Sequence, residues 1–403
     1  MRLLFLSHGP LSSNSGLHIS ALAPALASHG CQSRALVPSF DGTSSTPSDS
    51  LPTGLYSQCA DLLRSWHPDL VHLWTPRQRI VSLWRQIQQR CPDAVGCLHL
   101  EDSEEILTRR SLGWSQADWQ TPPQDVRVPA RLTDPQEYRQ LLTEIPGVSG
   151  LVPTLLEGVP SSVPTCCFAP GFEEGMEWEV AAEFQLRRKL GLEDSEQVVV
   201  YCGNGHSANR EELRSLYLGI ALAQEAGCQV RLLRTGNDLF GLSEQDRKIR
   251  NRVSVELGVV ERSFLPRLLA LADLLIQPGH ADAFNQQRFP SKLPEFLASG
   301  KAVVLPPCNL GLQLKDGQEA ILLRKGSALG IRDLLLEWLP QKERLRSIGQ
   351  AGQAYAWQNL RWKFAAETLA EFYHRVLSKH RERGVEKTAR RRRSTSRSLA
   401  GFW

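Results

Sequence analysis

The sequence predicts an α/β protein: two doubly wound parallel-sheet domains in series. Short apolar runs alternate with stretches of helical period along most of the 403 residues. Those runs are apolar throughout, as in strands that helices cover on both faces. The series occurs twice, on either side of an acidic, loop-like stretch at 170–178, PGFEEGMEW. A chain of this length is comfortable as two domains.

In the first series RLLFLS (2–7) reads as a strand and HGPLSSNSG (8–16) as a polar Gly/Ser-rich loop. Leu17–His29 reads as a helix with Leu17, Ala21, Leu22, Ala25 and Leu26 on one face, capped by Gly30. Pro24 removes a backbone bond and should kink it. SRALVP (33–38) then completes a βαβ unit. Residues 41–54 read as a loop, DLVHLW (69–74) as a strand followed by helix to Gln89, and AVGCLHL (94–100) as a strand. Residues 111–133 have no clear period and read as irregular, before short strands at 148–154 and 164–170.

The second series has strands QVVVYCG (197–203), QVRLLRTG (229–236), VSVELG (253–258) and LLIQPG (274–279). Helices at Ala208–Ala226 and Leu265–Ala272 separate them. RFPSKLPEFLASGKAVVLP (288–306) supplies another helix and strand, and EAILL (319–323) follows. Residues 341–379 are amphipathic and helical, with bulk from Trp357, Trp362, Phe372 and Tyr373. The tail cannot bury a core and is expected to be disordered. The expected divisions are residues 1–172, 173–354, a C-terminal helix at 355–378 and a tail at 379–403.

Composition narrows the class. The chain is 41% hydrophobic and 22% charged, with no run of eighteen apolar residues to span a membrane. MRLLFLSHGP turns polar too soon for a signal peptide and reads as a first strand. Nine scattered cysteines without a Cys-x-x-Cys argue against a zinc site or disulfide framework and for a reducing cytoplasm. Residues 379–403 hold nine Lys or Arg and two Glu, a net of +7, which leaves the other 378 residues at −3. The body offers no basic face for nucleic acid.

In open α/β sheets ligands sit at the carboxyl ends of strands, so the strand-to-helix loops are informative. The loop SHGPLSSNSG places Gly16 at a helix N-terminus, where free N–H groups can meet an anion or a sugar hydroxyl. It also reads as a plain helix-opening turn. The loop CLHLEDSEE sets His99 beside Glu101 and Asp102, so His99 can titrate or orient a substrate. Glu104 and Glu105 read as helix first-turn residues.

In the 288–306 unit, Ser291 and Lys292 mark the first turn and form an anion site with its amides. Glu295 lies three residues on, on the same side. A carboxylate accepts two hydrogen bonds from a vicinal diol, and diphosphate plus diol is what a ribonucleoside diphosphate presents. The same spacing also fits a surface Lys–Glu pair worth under about 1 kcal/mol.

LSHGPLSSNSGLHISALAPALASHG, LGVVERSFLPRLLALADLLIQPG and FPSKLPEFLASGKAVVLP resemble the two-Rossmann GT-B glycosyltransferases, most closely the retaining group called glycosyltransferase family 4. The resemblance covers the chain to about residue 378. It implies a donor/acceptor cleft between the domains, a nucleotide-sugar donor as co-substrate, and retention of configuration. It implies no cofactor and no required metal. The acceptor would be a glycan, a lipid-linked sugar or a small molecule.

Carried over by position, Glu295 holds the donor ribose, Lys292 and Ser291 face the phosphates, Gly16 lies in the loop that closes on donor and acceptor, and His99 contacts the transferred sugar. Ser15, Asp102, Asp282 and Asn285 are candidate sugar or acceptor contacts. The last helix would return to the first domain at about Trp362–Leu377. Retention needs no dedicated base, because the leaving diphosphate can take the acceptor proton.

The sequence departs from the family in two places. An Arg and a Lys five residues apart usually follow the second domain's first strand. Here Asn204 and Asn209 stand there, with Arg210 one residue off and Arg288 or Lys292 to compensate. The first Glu of the family's two-glutamate motif is Gln287. These losses keep a second reading in play, a catalytically silent GT-B protein that binds a glycan or a partner. A dehydrogenase should show a dinucleotide fingerprint, and none is visible. The tail arginines with Phe402 and Trp403 suit peripheral contact with the anionic inner membrane face, or else a solvated tail.

Overall fold

The computed structural model describes residues 1–39, 51–177 and 184–399, with side chains as far as residue 382. It divides into two compact units. Met1–Glu105, Trp119–Phe168 and the chain from Ala365 form one; Ile106–Asp118 and Ala169–Phe364 form the other.

The first unit is built on seven parallel strands: β1 (Arg2–Ser7), β2 (Gln32–Val37), β3 (Thr53–Leu55), β4 (Leu70–Trp74), β5 (Val95–Leu100), β6 (Gly147–Gly150) and β7 (Thr165–Cys167). Their order is β3-β2-β1-β4-β5-β6-β7. Every residue of β4 and β5 is buried, which is why these runs are apolar without alternation. The strand order changes direction between β1 and β4, and a ligand crevice is expected at the carboxyl ends there. Edge strand β3 overlaps the expected 41–54 loop; the rest of that loop, to residue 50, lies outside the described residues.

The helix Asn14–Ala27 opens three residues earlier than the sequence suggests, because the Ser13 hydroxyl caps it by accepting from the Gly16 amide. It runs unbroken through Pro24. The expected irregular stretch at 111–133 contains one short helix, Gln116–Gln120.

The long helix Trp362–Leu399 belongs to this unit from Ala365. Gly147 makes room for it, since a Cβ there would come within 2.5 Å of Val376 and 2.8 Å of Phe372. The stretch read as helical at 341–379 is two helices that part at Leu360–Arg361. Where the sequence reading expects a disordered tail from 379, helix continues to Leu399. Ala, Glu, Lys and Arg are good helix formers, and they extend a helix already anchored by buried residues from Ala365 to Val376, such as Leu369, Phe372 and Tyr373.

The second unit holds six parallel strands: β8 (Gln197–Cys202), β9 (Val230–Thr235), β10 (Ser254–Glu256), β11 (Leu274–Ile276), β12 (Val303–Leu305) and β13 (Ile321–Leu322). They run in the order β10-β9-β8-β11-β12-β13. Its core joins Val199, Leu232, Ile276 and Val304 of the sheet to Leu216, Ile220, Ile331 and Leu335 of two covering helices. Gly219 lets those helices, Arg210–Glu225 and Ala328–Trp338, approach closely: a Cβ would stand 2.7 Å from Ile331. The order reverses between β8 and β11, a second switch point.

Candidate active site

In the second unit, the carboxyl ends of β8 and β11 carry Gly203 and Gln277. Lys292 stands just before the helix Leu293–Ala298. Its ammonium group donates to Gln277 Oε1 at 3.0 Å and lies 4.3 Å from the centre of the Tyr201 ring. Gln277 is fixed for this role, because its Nε2 donates to the Pro278 carbonyl. Gly203 has φ +140°, and a Cβ there would be 3.1 Å from Lys292 Nζ. The glycine therefore admits the lysine over the end of β8. Among the described residues no carboxylate pairs with Lys292.

Glu295 follows in the first turn, 8% exposed, with Oε1 bonded to the Arg262 guanidinium. Arg262 Nε also donates to Glu173 Oε2 at 2.9 Å. Ser291 lies half-buried in the turn before the helix. That helix is only six residues long, so charge recognition here rests on Lys292 rather than on a helix end.

The other expected donor contacts serve the local fold. Arg288 donates to Glu212 Oε2 at 2.7 Å and to Asn285 Oδ1 at 2.8 Å, and Asn285 donates to Glu212 Oε1 at 2.7 Å. Its charge is thus neutralised by a partner 76 residues away. Asn204 Oδ1 accepts from the Asn237 amide, and Asn209 ties the loop by accepting from the His206 amide and donating to the Asn204 carbonyl. Asn204 thus ties its loop to the one after β9, and Asn209 builds its own loop. Arg210 is half-exposed beside Phe240. Asp282 caps the short helix Ala283–Gln286. Burial lowers the His206 pKa, and Lys292 and Arg288 lower it further.

In the first unit, the switch point gathers residues from three strand ends. Glu101 follows β5 and is 8% exposed. Its Oε1 accepts from Trp74 Nε1 at 2.8 Å and lies 3.1 Å from His18 Nδ1, while Oε2 accepts from the Ser15 hydroxyl. His8 Nδ1 lies 3.3 Å from that hydroxyl. Burial opposes ionisation of Glu101, but the His18 hydrogen bond works against it and the carboxyl stays well below the usual range. Burial pushes His8 down to about 4 and His99 to about 3, so both rings are neutral near pH 7. The carboxylate is therefore held mainly by its donors. Thr75, just past β4, has φ +82° and a buried hydroxyl without a hydrogen-bond partner among the described residues. Strain at a β-branched residue is rare and concentrates at functional sites.

Two sequence expectations change here. His99 has no exposed surface. It lies inside β5, 4.0 Å from the Trp74 ring and stacked on Phe168. Its Nδ1 joins a buried chain through Ser149 and His72 to the Tyr373 hydroxyl. Its Nε2 is buried without a hydrogen-bond partner among the described residues, and the residue that follows the strand is Glu101. Gly16 is likewise structural. Its amide meets Ser13, and a Cβ would clash with the Pro10 carbonyl at 2.3 Å. Ser15 does meet the cluster, and Asp102 is half-buried next to it. The sequence reading noted Glu101 only as a neighbour and passed over His8, His18, Thr75 and Arg262. Position at a strand end was the signal for His8 and Thr75 alone; His18 lies in the helix Asn14–Ala27 and Arg262 opens a 3-10 turn.

All nine cysteines are unpaired. Among the described residues no group of three or more His, Cys, Asp or Glu is placed to hold a metal, and no helix is long and apolar enough to cross a membrane.

No family model matches the chain, and no curated protein sequence matches it. Solved structures do. Anabaena HepE, in complex with UDP and glucose, matches with TM-score 0.70 at 17% identity, covering 93% of this chain and 99% of that one. Sucrose-phosphate synthase from Thermosynechococcus elongatus matches with TM-score 0.69 at 15% identity over 94% and 100%. The glycosyltransferase WaaG, involved in lipopolysaccharide biosynthesis, matches with TM-score 0.57 at 13% identity over 92% and 98%. These likenesses span both units, and the chain has the two-unit α/β architecture of the GT-B fold.

Proposed function

We propose that this protein is a retaining, metal-independent glycosyltransferase that moves a sugar from a nucleoside-diphosphate sugar to a carbohydrate, lipid-linked or small-molecule acceptor. One observation carries the reading: Lys292, paired with no carboxylate among the described residues, sits over the end of β8, three residues from Glu295. On this reading Lys292 neutralises the leaving diphosphate and Glu295 accepts from the ribose hydroxyls. The leaving diphosphate takes the acceptor proton as the bond to the sugar breaks. Anabaena HepE is known bound to UDP and to UDP-glucose, which makes UDP-hexoses the first donors to test.

In the first unit the reading assigns Glu101, with Ser15 and Asp102, to the sugar side in place of His99. The working site is the cytoplasm, with contact to anionic membrane through the tail.

The second reading, a silent GT-B binder, draws on the engagement of Asn204, Asn209 and Arg288 in local structure. It leaves one lysine where the family has several cations. A calorimetric screen of UDP, GDP, ADP and their sugar conjugates without metal separates the two. Saturable binding of one nucleotide, lost in Glu295→Ala, supports the transferase. No binding by folded protein supports the silent binder.

A further inference from the structure

Glu295 can read a ribose only if its carboxylate is held in one orientation. Three rotatable bonds separate that carboxylate from the helix backbone, and the helix itself does not fix them. The restraint comes from elsewhere in the unit. Arg262 opens the short 3-10 turn Arg262–Phe264, and its guanidinium meets Glu295 Oε1 across 33 residues of sequence. The same guanidinium donates through Nε to Glu173, near the start of the segment Ala169–Phe364 of this unit. Arg262 is thus held from one side and holds on the other. A planar guanidinium suits this, because its donors keep a fixed angle to one another.

The environment grades the two contacts. The Glu295 side chain is 10% exposed, that of Arg262 37% and that of Glu173 50%. The contact to Glu295 is therefore the better shielded and the stronger of the two, and solvent weakens the contact to Glu173.

We infer that Arg262 is a positioning residue of the donor site, orienting Glu295 toward the ribose diol while Glu173 steadies its guanidinium. This rests on the donor-site reading of Glu295 given above. It adds a residue that lies outside the Lys292–Glu295 motif.

The test compares UDP with 2′-deoxy-UDP by calorimetry on full-length protein, with GDP and ADP pairs run alongside. Wild type should prefer the ribonucleotide about tenfold, the scale of losing one hydrogen bond to a charged group. Glu295→Ala should abolish that preference. Arg262→Ala should weaken UDP binding and bring the preference close to one, with Arg262→Lys retaining part of it and Glu173→Gln most of it. Thermal unfolding of each variant verifies that the fold is intact. If Arg262→Ala keeps the full ribose preference while Glu295→Ala loses it, the positioning role is wrong. Tighter UDP binding by Arg262→Ala would show a competitor for Glu295 and also overturn it. If wild type binds no nucleotide, or Glu295→Ala keeps the preference, the donor-site reading itself fails and takes this inference with it.

Discussion

Lys292 stands over Tyr201, its ammonium group 4.3 Å from the ring centre, at the end of the central strand of the second sheet. The contact is a cation–π interaction worth about 0.5–1 kcal/mol at a part-exposed site. Such an interaction holds a cation in place without cancelling its charge, unlike the carboxylates that engage Arg288 and Arg262.

Lys292→Met should therefore spare the fold and damage diphosphate recognition. Hydrogen bonds to charged groups are worth about 1.5–3 kcal/mol, so UDP affinity should fall about tenfold to a hundredfold. UMP, which lacks the second phosphate, should lose much less. Calorimetry with both nucleotides checks this, and equal losses would move Lys292 away from the diphosphate.

Gly203→Ala should impair both stability and binding. Its φ of +140° disfavours any side chain, and the added Cβ would sit 3.1 Å from Lys292 Nζ. The backbone strain alone costs about 1–3 kcal/mol. Gly191→Ala is the control, with φ +68° and nothing near its Cβ. Both variants should unfold at lower temperature, but only Gly203→Ala should also weaken UDP binding.

His99 gives a pH signature. Burial lowers its pKa to about 3 in the folded protein, against about 6.5 in an unfolded chain. Between those values the unfolded state binds the extra proton, so stability falls as pH falls through the window. The slope for this one group approaches about 1.4 kcal/mol per pH unit. Urea unfolding between pH 7 and pH 4.5 should show a shallower dependence in His99→Gln. Parallel curves would mean that the ring is not neutral in the native state.

Truncation after Lys379 should leave the fold standing. The contacts that hold the last helix, from Tyr373 to His72 and from Phe372 and Val376 beside Gly147, all precede it, and Lys379 itself donates to the Ser162 carbonyl. Sedimentation with vesicles containing phosphatidylserine should separate the proteins, because each Lys or Arg near an anionic surface contributes about 1 kcal/mol. Full-length protein should bind and the 1–379 protein should not; equal binding would remove the tail from membrane contact.

The sequence by itself determined the two sheets. Apolar runs such as 70–74 and 198–200 are strands because both faces are covered, and that demand is written locally in the residues. The three-residue spacing of Lys292 and Glu295 was legible for the same reason, since one helical turn sets it. Short elements without a strong period, such as the helix Ala328–Trp338 and the edge strand β3, were not picked out.

Only the tertiary structure decided which polar groups are spoken for. Arg288 looked like a spare cation, but Glu212 meets it from the helix Arg210–Glu225; Asn204 meets the Asn237 amide and Asn209 its own loop. His99 and Glu101 are two residues apart, yet the Trp74 and Phe168 rings enclose the first inside β5, while the second lies just past the strand's end. Arg262 and Glu295 meet across 33 residues. Pairings of that kind depend on how the chain folds back on itself. No local pattern encodes them, because their energy comes from desolvated charges meeting in space rather than from neighbours in sequence.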